Sequence, residues 1–96
     1  MKFEWDPQKA QSNQVKHGVR FEEAISAFDD PRALIATDSK HSTEDEKREW
    51  IIGETDSKSI VVIIYTDRGI RRRLISARPA SRKERKMYET LKTVPF

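Results

Sequence analysis

Apolar and polar positions follow two periods along this 96-residue chain. From Pro7 to Phe28 the spacing is helical. The first helix is poor in apolar residues; its inner face carries Ala10, Asn13 or Gln14, and His17, with Asn13 and His17 expected at the core edge as hydrogen-bonding groups. Asp6-Pro7 provides an N-cap and a first-turn proline, and Gly18 a left-handed stop. A second helix, Phe21 to Phe28, sets Phe21, Ala24, Ile25 and Phe28 on one stripe and ends at Asp29-Asp30-Pro31. Joined by Gly18-Val19-Arg20, the two form a helical hairpin expected to cover one face of a sheet.

Outside that hairpin the pattern is that of strands. Lys2 to Trp5 reads as a short edge strand and Ala33 to Thr37 as a second strand. Arg48 to Gly53 alternates, with Trp50 and Ile52 on one face and Ile51 on the other. Ile60 to Tyr65 is the longest apolar run, six residues. It predicts a central strand buried on both faces and is too short to span a bilayer. Asp67-Arg68-Gly69 turns the chain into a strand over Arg71 to Ala77. Pro79 sets a boundary at Arg78, and Ser81 with Glu84 forms a capping box that starts a last helix at Arg82. That helix runs to Lys92 with Glu84, Met87, Tyr88 and Leu91 on one stripe, and Thr93 to Phe96 is expected as a loose tail. Asp38 to Lys47 is polar throughout and predicts a loop. The order β-α-α-β-β-β-β-α, with tight turns between successive strands, predicts a single domain over residues 1–96. Its class is α+β, with a small, mostly antiparallel sheet, an N-terminal αα-hairpin and a C-terminal helix.

Composition adds that the core is lean. Hydrophobic residues make up 35% of the chain and charged residues 36%. Cysteine is absent, which excludes disulfides and thiolate chemistry. The opening Met-Lys-Phe-Glu-Trp-Asp has no signal-peptide core, and the expectation is a cytoplasmic protein without membrane contact. Charge is unevenly spread. Residues 68–92 hold ten Lys or Arg against Glu84 and Glu89, whereas residues 1–67 hold nine basic and fourteen acidic residues. A basic strand followed by a basic helix is a seat for a phosphate chain, or simply a solvated face.

Several chemistries lack their residues. Three scattered glycines build no phosphate loop. Two histidines without cysteine point to no zinc site, and Glu44-Asp45-Glu46 reads as an acidic loop rather than a divalent-ion site. No cofactor is expected. Positioned Arg, His, Glu and Tyr suit phosphodiester transfer on RNA, whose own 2′-hydroxyl is the nucleophile. A base takes its proton, cationic donors hold the phosphate, and an acid protonates the leaving oxygen.

Trp5-Asp6-Pro7, Asn13, Lys16-His17-Gly18-Val19, Phe21-Glu22-Glu23-Ala24, Phe28-Asp29-Asp30, His41-Ser42, Glu46, Arg48, Ile52-Gly53, Ile75-Ser76-Ala77-Arg78, Glu84-Arg85 and Tyr88 occur in one order. That ordered set spans nearly the whole chain and resembles the BrnT family of type II toxins. The resemblance implies a fold similar to the RelE-type ribonucleases, and toxicity through RNA cleavage and arrest of translation. It also implies a cognate BrnA-like antitoxin that wraps the toxin, with operator DNA met only through that complex. The chain departs from the family in having Leu74 where Ile is frequent, and in Lys47 and Glu49 around Arg48. A one-residue slip would carry Arg48 to the other face.

Arg48, Arg73 and Arg78 are the candidates for holding the scissile phosphate, as planar donors that stay charged. Strict alternation would send Arg71 and Arg73 to one side and Arg72, Leu74, Ser76 and Arg78 to the other. His41 and Glu46 share the polar loop, and either is a candidate general base. Tyr88 is a candidate proton donor and equally a core residue with its hydroxyl at the rim. Arg71, Arg72, Arg82, Arg85 and Lys86 are expected on the RNA backbone. Trp50 is a candidate for base stacking, while Trp5 and Tyr65 are expected in the core. The competing function is a non-catalytic nucleic-acid-binding module or an inactive toxin-fold partner protein.

Overall fold

The structure, a computed structural model, describes residues 1–92, so the expected tail at Thr93 to Phe96 lies outside the described residues. Strands β1 (Lys2–Glu4), β2 (Leu34–Thr37), β3 (Arg48–Glu54), β4 (Ile60–Arg68) and β5 (Arg71–Pro79) form one sheet in the order β1-β5-β4-β3-β2. β1 runs parallel to β5, and every other pairing is antiparallel. The α+β class and the central place of β4 match the reading of the sequence.

Helix α1 (Pro7–His17) begins and ends where its signals lie. The Asp6 carboxylate accepts the Gln8 N–H at 2.9 Å, and Gly18 stands at φ 72°. The second helix is shorter than its stripe predicts: α2 (Phe21–Ala24) tightens into a 3₁₀ segment, Ile25–Asp29. Here the Ser26 hydroxyl donates to the Glu23 carbonyl at 2.9 Å and accepts the Asp56 N–H at 2.9 Å, drawing the segment onto the β3–β4 turn. Gly53 makes the approach possible, because a Cβ there would stand 2.9 Å from the Ala27 carbonyl oxygen.

The helical hairpin covers one face of the sheet. Phe21, Ala24 and Ala27 pack on Ile51, Val61, Ile63, Tyr65, Leu74 and Ala77. Asn13 is buried and ties α1 to β5; its side-chain amide donates to the Ala77 carbonyl at 2.7 Å and accepts the Ala77 N–H at 3.0 Å. It thereby continues the outer edge of β5 beyond the three residues that β1 pairs. A buried amide with both groups satisfied in this way fixes register more than it adds stability.

The second face is only half covered. Helix α3 (Arg82–Lys92) lays Tyr88 on Ile52, Ile60, Val62 and Ala80, while Met87 and Leu91 remain 41% and 45% exposed. The predicted capping box is present: Glu84 N–H to Ser81 Oγ at 3.2 Å and Ser81 N–H to Glu84 Oε1 at 2.8 Å.

The β4–β5 ladder holds the one departure that reshapes the site. Ile64 pairs with Ser76, but Tyr65 pairs with Leu74, which leaves Ile75 as an extra residue. A bulge reverses alternation downstream of itself. Arg72, Leu74 and Ala77 therefore face the helical hairpin, whereas Arg71, Arg73, Ser76 and Arg78 share the half-covered face. The expectation that Arg73 and Arg78 point to opposite sides is corrected by this one residue.

Candidate active site

Residues opposite one another across a sheet point the same way, so the ladder gives the half-covered face row by row. Leu34, Ile52, Val62 and Arg78 form the row nearest α3. Ala36, Trp50, Ile64 and Ser76 form the next. Arg48, Thr66, Arg73 and Glu4 follow, and Arg68, Arg71 and Lys2 close the series. The pairing settles the register of Arg48: it stands on the face of Trp50, and Glu49 takes the other. Over the first two rows lies an open cavity of about 320 Å³ lined by Asp38, His41, Trp50, Ile52, Val62, Ile64, Arg78, Glu84 and Met87.

His41 arrives on the loop between β2 and β3, which is closely tied. Ser42 Oγ accepts the Arg48 N–H at 2.9 Å and lies 2.6 Å from the Asp38 carbonyl oxygen, to which it donates. Asp38 N–H donates to the Arg48 carbonyl at 2.8 Å, and Thr66 Oγ1 reaches the Lys47 carbonyl at 2.8 Å. Within this frame Asp38 Oδ2 stands 2.8 Å from His41 Nδ1, the carboxylate side chain 12% exposed and the imidazole 56%. A carboxylate on Nδ1 orients the ring and leaves Nε2 to exchange protons. Asp38 escaped sequence reading; its position three residues before His41, on a loop closed by Ser42, is the signal that would have found it.

Each of the three candidate arginines is held by a glutamate. Arg78 meets Glu84 in a two-pronged pair at 2.7 and 2.9 Å. Arg48 Nε donates to Glu46 at 2.8 Å, and Arg73 to Glu4 at 2.9 Å. Glu46 also accepts from Arg68 at 3.2 Å. The hydrogen bond from Arg48, with that from Arg68, keeps the Glu46 carboxyl below its ordinary pKa. Arg78 pulls Glu84 down to about 2, assisted by the Ser81 N–H and hydroxyl. Such pairs fix guanidinium planes while leaving other N–H groups free for a phosphate.

A profile described as "Ribonuclease toxin, BrnT, of type II toxin-antitoxin system" matches residues 5–84. The chain belongs to the BrnT toxin family. Among solved structures, the toxin is similar to the 1.1 Å crystal structure of the Brucella abortus ribonuclease toxin, BrnT. The two are 31% identical, the match covers 85% of this chain and 99% of that one, and the TM-score is 0.60. No curated protein sequence matches. The family is one of ribonuclease toxins of type II toxin–antitoxin systems, so an antitoxin partner follows from membership. The matched stretch contains every lining residue of the groove except Met87.

The remaining candidates of this BrnT-family toxin divide by face and by burial. Tyr88, the candidate proton donor, is not among the residues that line the groove. It is 1% exposed, its hydroxyl donates to Asp30, and burial first, then Asp30, pushes its pKa up. Arg72 lies on the face of the helical hairpin. Its guanidinium stands 4.6 Å from the Tyr65 ring centroid and 4.9 Å from that of Phe28, and bonds Asp67 at 2.7 and 3.1 Å. It closes that side of the core and is separate from the groove. Tyr65 is a core residue as expected, 1% exposed, and half-buried Trp5 packs edge-on to Phe21 against that core. Arg85 lines a larger cavity, about 500 Å³, where it and Lys58 face Glu23, Glu54 and Glu89; the surplus of carboxylates makes that cavity a poorer seat for phosphate than the groove. Arg82, Lys86 and Arg71 are exposed. Among the described residues no three of His, Asp and Glu converge to hold a metal ion, and no helix is long and apolar enough to cross a membrane.

Proposed function

We propose that this BrnT-family toxin is a metal-independent endoribonuclease that arrests translation by cutting RNA in the groove between α3 and the Asp38–Lys47 loop. The observation that carries the reading is the cavity shared by the Asp38-held imidazole of His41 and the Glu84-held guanidinium of Arg78. His41 Nε2 takes the proton from a ribose 2′-hydroxyl. The resulting oxyanion attacks the adjacent phosphorus, and the 5′-oxygen leaves with a proton returned by the imidazolium or by water. Arg78 neutralises the charge that grows on the non-bridging oxygens, while Arg48 and Arg73, two rows on, hold the neighbouring phosphates. His41 is the better base because Glu46, between Arg48 and Arg68, is held as a carboxylate of low basicity. Arg71, Arg82 and Lys86 extend the track for the RNA backbone.

The donor set supports catalysis by cations rather than by a bound metal. The carboxylates lining the groove, Asp38 and Glu84, are engaged by His41 and Arg78. A BrnA-like antitoxin covers this face in the cytoplasm, and operator DNA is bound only by the toxin–antitoxin complex. The test is incubation of the purified, antitoxin-free toxin with single-stranded RNA, with and without EDTA. Cleavage that survives EDTA and is lost in His41→Ala and Arg78→Ala, both still folded, is the expected result. Binding without cleavage would leave only a nucleic-acid-binding module.

A further inference from the structure

We propose that the apolar floor of the groove, Trp50 and Ile64 with Met87 overhanging, is the seat of one unpaired nucleobase beside the severed link; this rests on the ribonuclease reading above. Strand β4 is buried at every position from Ile60 to Thr66 except Ile64. The exception is the middle of the central strand, where a side chain open to solvent is unusual. Its cross-strand partner Trp50 is likewise only half buried. Helix α3 caps the adjoining row of Ile52 and Val62 through Tyr88, and Trp50 packs only partly buried against that cluster. Met87 leans over the gap with 41% of its surface exposed.

What surrounds the floor says what rests on it. One row to one side stands Arg78, and one row to the other stands Arg48. Rows on one face are two residues apart, roughly 7 Å along the strand. An apolar patch with a cation at either end, two rows or about 14 Å apart along the strands, matches a base resting on the floor with the phosphates two links apart on its own chain reaching the flanking guanidiniums. An aliphatic ligand has no use for cations at both ends. A paired base cannot lie flat on the floor, since its faces are already stacked within the duplex. The groove therefore selects single-stranded RNA, and Trp50 supplies the aromatic face.

The test pairs a change in the protein with a change in the substrate. Cleavage positions are mapped on a single-stranded RNA, and oligonucleotides are made with an abasic ribonucleotide on each side of a mapped position. For the wild type, one abasic substitution is expected to slow cleavage roughly five- to 150-fold, the range for loss of one base–aromatic stack. Trp50→Ala should carry a similar penalty on intact RNA and no further penalty on that abasic RNA, with Trp50→Phe retaining most of the rate. Binding of an uncleavable 2′-deoxy oligonucleotide should quench the fluorescence of Trp50, read against Trp50→Phe, in which Trp5 alone reports. Penalties that multiply independently, or a Trp50→Ala toxin that cleaves like wild type, overturn the seat and leave the ribonuclease reading standing. Quenching by a base without cleavage of any RNA keeps the seat and overturns that reading. If Trp50→Ala leaves RNA handling intact and weakens antitoxin binding instead, the floor belongs to a polypeptide and the proposal fails.

Discussion

His41 and Tyr88 both read as proton-transfer residues in the sequence, and their surroundings separate them. His41 is exposed and braced on one nitrogen; Tyr88 is buried and its hydroxyl donates to Asp30. His41→Gln should therefore lower cleavage by about 10²- to 10⁴-fold, the usual share of a general base, with no loss of melting temperature. Asp38→Asn keeps the contact but allows the amide to present N–H to the ring. It should lower kcat by about tenfold or more while KM changes little, because the wrong tautomer is favoured. Tyr88→Phe has the opposite profile: about 1 kcal/mol less stable from the lost hydrogen bond, with single-turnover cleavage per folded molecule unchanged. An activity loss in Tyr88→Phe at full folding would return that hydroxyl to the chemistry.

At the level of elements, Glu84 joins α3 to β5. It closes the capping box of the helix and grips Arg78 at the end of the strand. Its carboxyl falls from an ordinary 4.5 to about 2, chiefly through Arg78. A group lowered in this way contributes stability that is fully present above its unfolded value, and that stability fades as the pH drops from about 4.5 towards 2. The difference in unfolding free energy between wild type and Glu84→Gln should thus be constant near neutrality, on the order of 1 kcal/mol for cap and pair together. It should shrink steadily in denaturant melts below about pH 4.5. Local signals of this kind were legible in the sequence: the capping box, the Asp6-Pro7 start, Gly18 and the apolar run of β4 all fall where expected, because each acts on its own few residues. The extra residue at Ile75 was not legible, since it depends on how β4 and β5 align over their length. Nor was the shortening of the second helix at Ser26, whose hydroxyl is engaged by the distant Asp56. For the site, residue types were readable and grouping was not. Arg48, Arg78 and His41 are conspicuous as residue types and Asp38 is not, and strict alternation puts Arg72 on the face of Arg78 where the ladder puts it on the other.

Across the whole molecule the two faces of the sheet have different electrostatic tasks. The covered face uses Arg72 inside its aromatic cluster, and the half-covered face displays Arg48, Arg68, Arg71, Arg73 and Arg78 in successive rows. RNA affinity should fall with added salt. Arg78→Ala should reduce the slope of log K against log salt by about one, whereas Arg72→Ala should leave the slope unchanged and lower the melting temperature. Equal slopes for wild type and Arg78→Ala would detach that arginine from the nucleic acid. The surplus residue in β5 decides how these cations are distributed. Excising Ile75 alone would shorten the strand between two fixed points, Leu74 in the core and Ala77 on the Asn13 amide. The chain would then have to give up either its packed interior or the gathering of its guanidiniums. A lesion of one codon, touching no charge and keeping the reading frame, should in this architecture be enough to disarm the toxin.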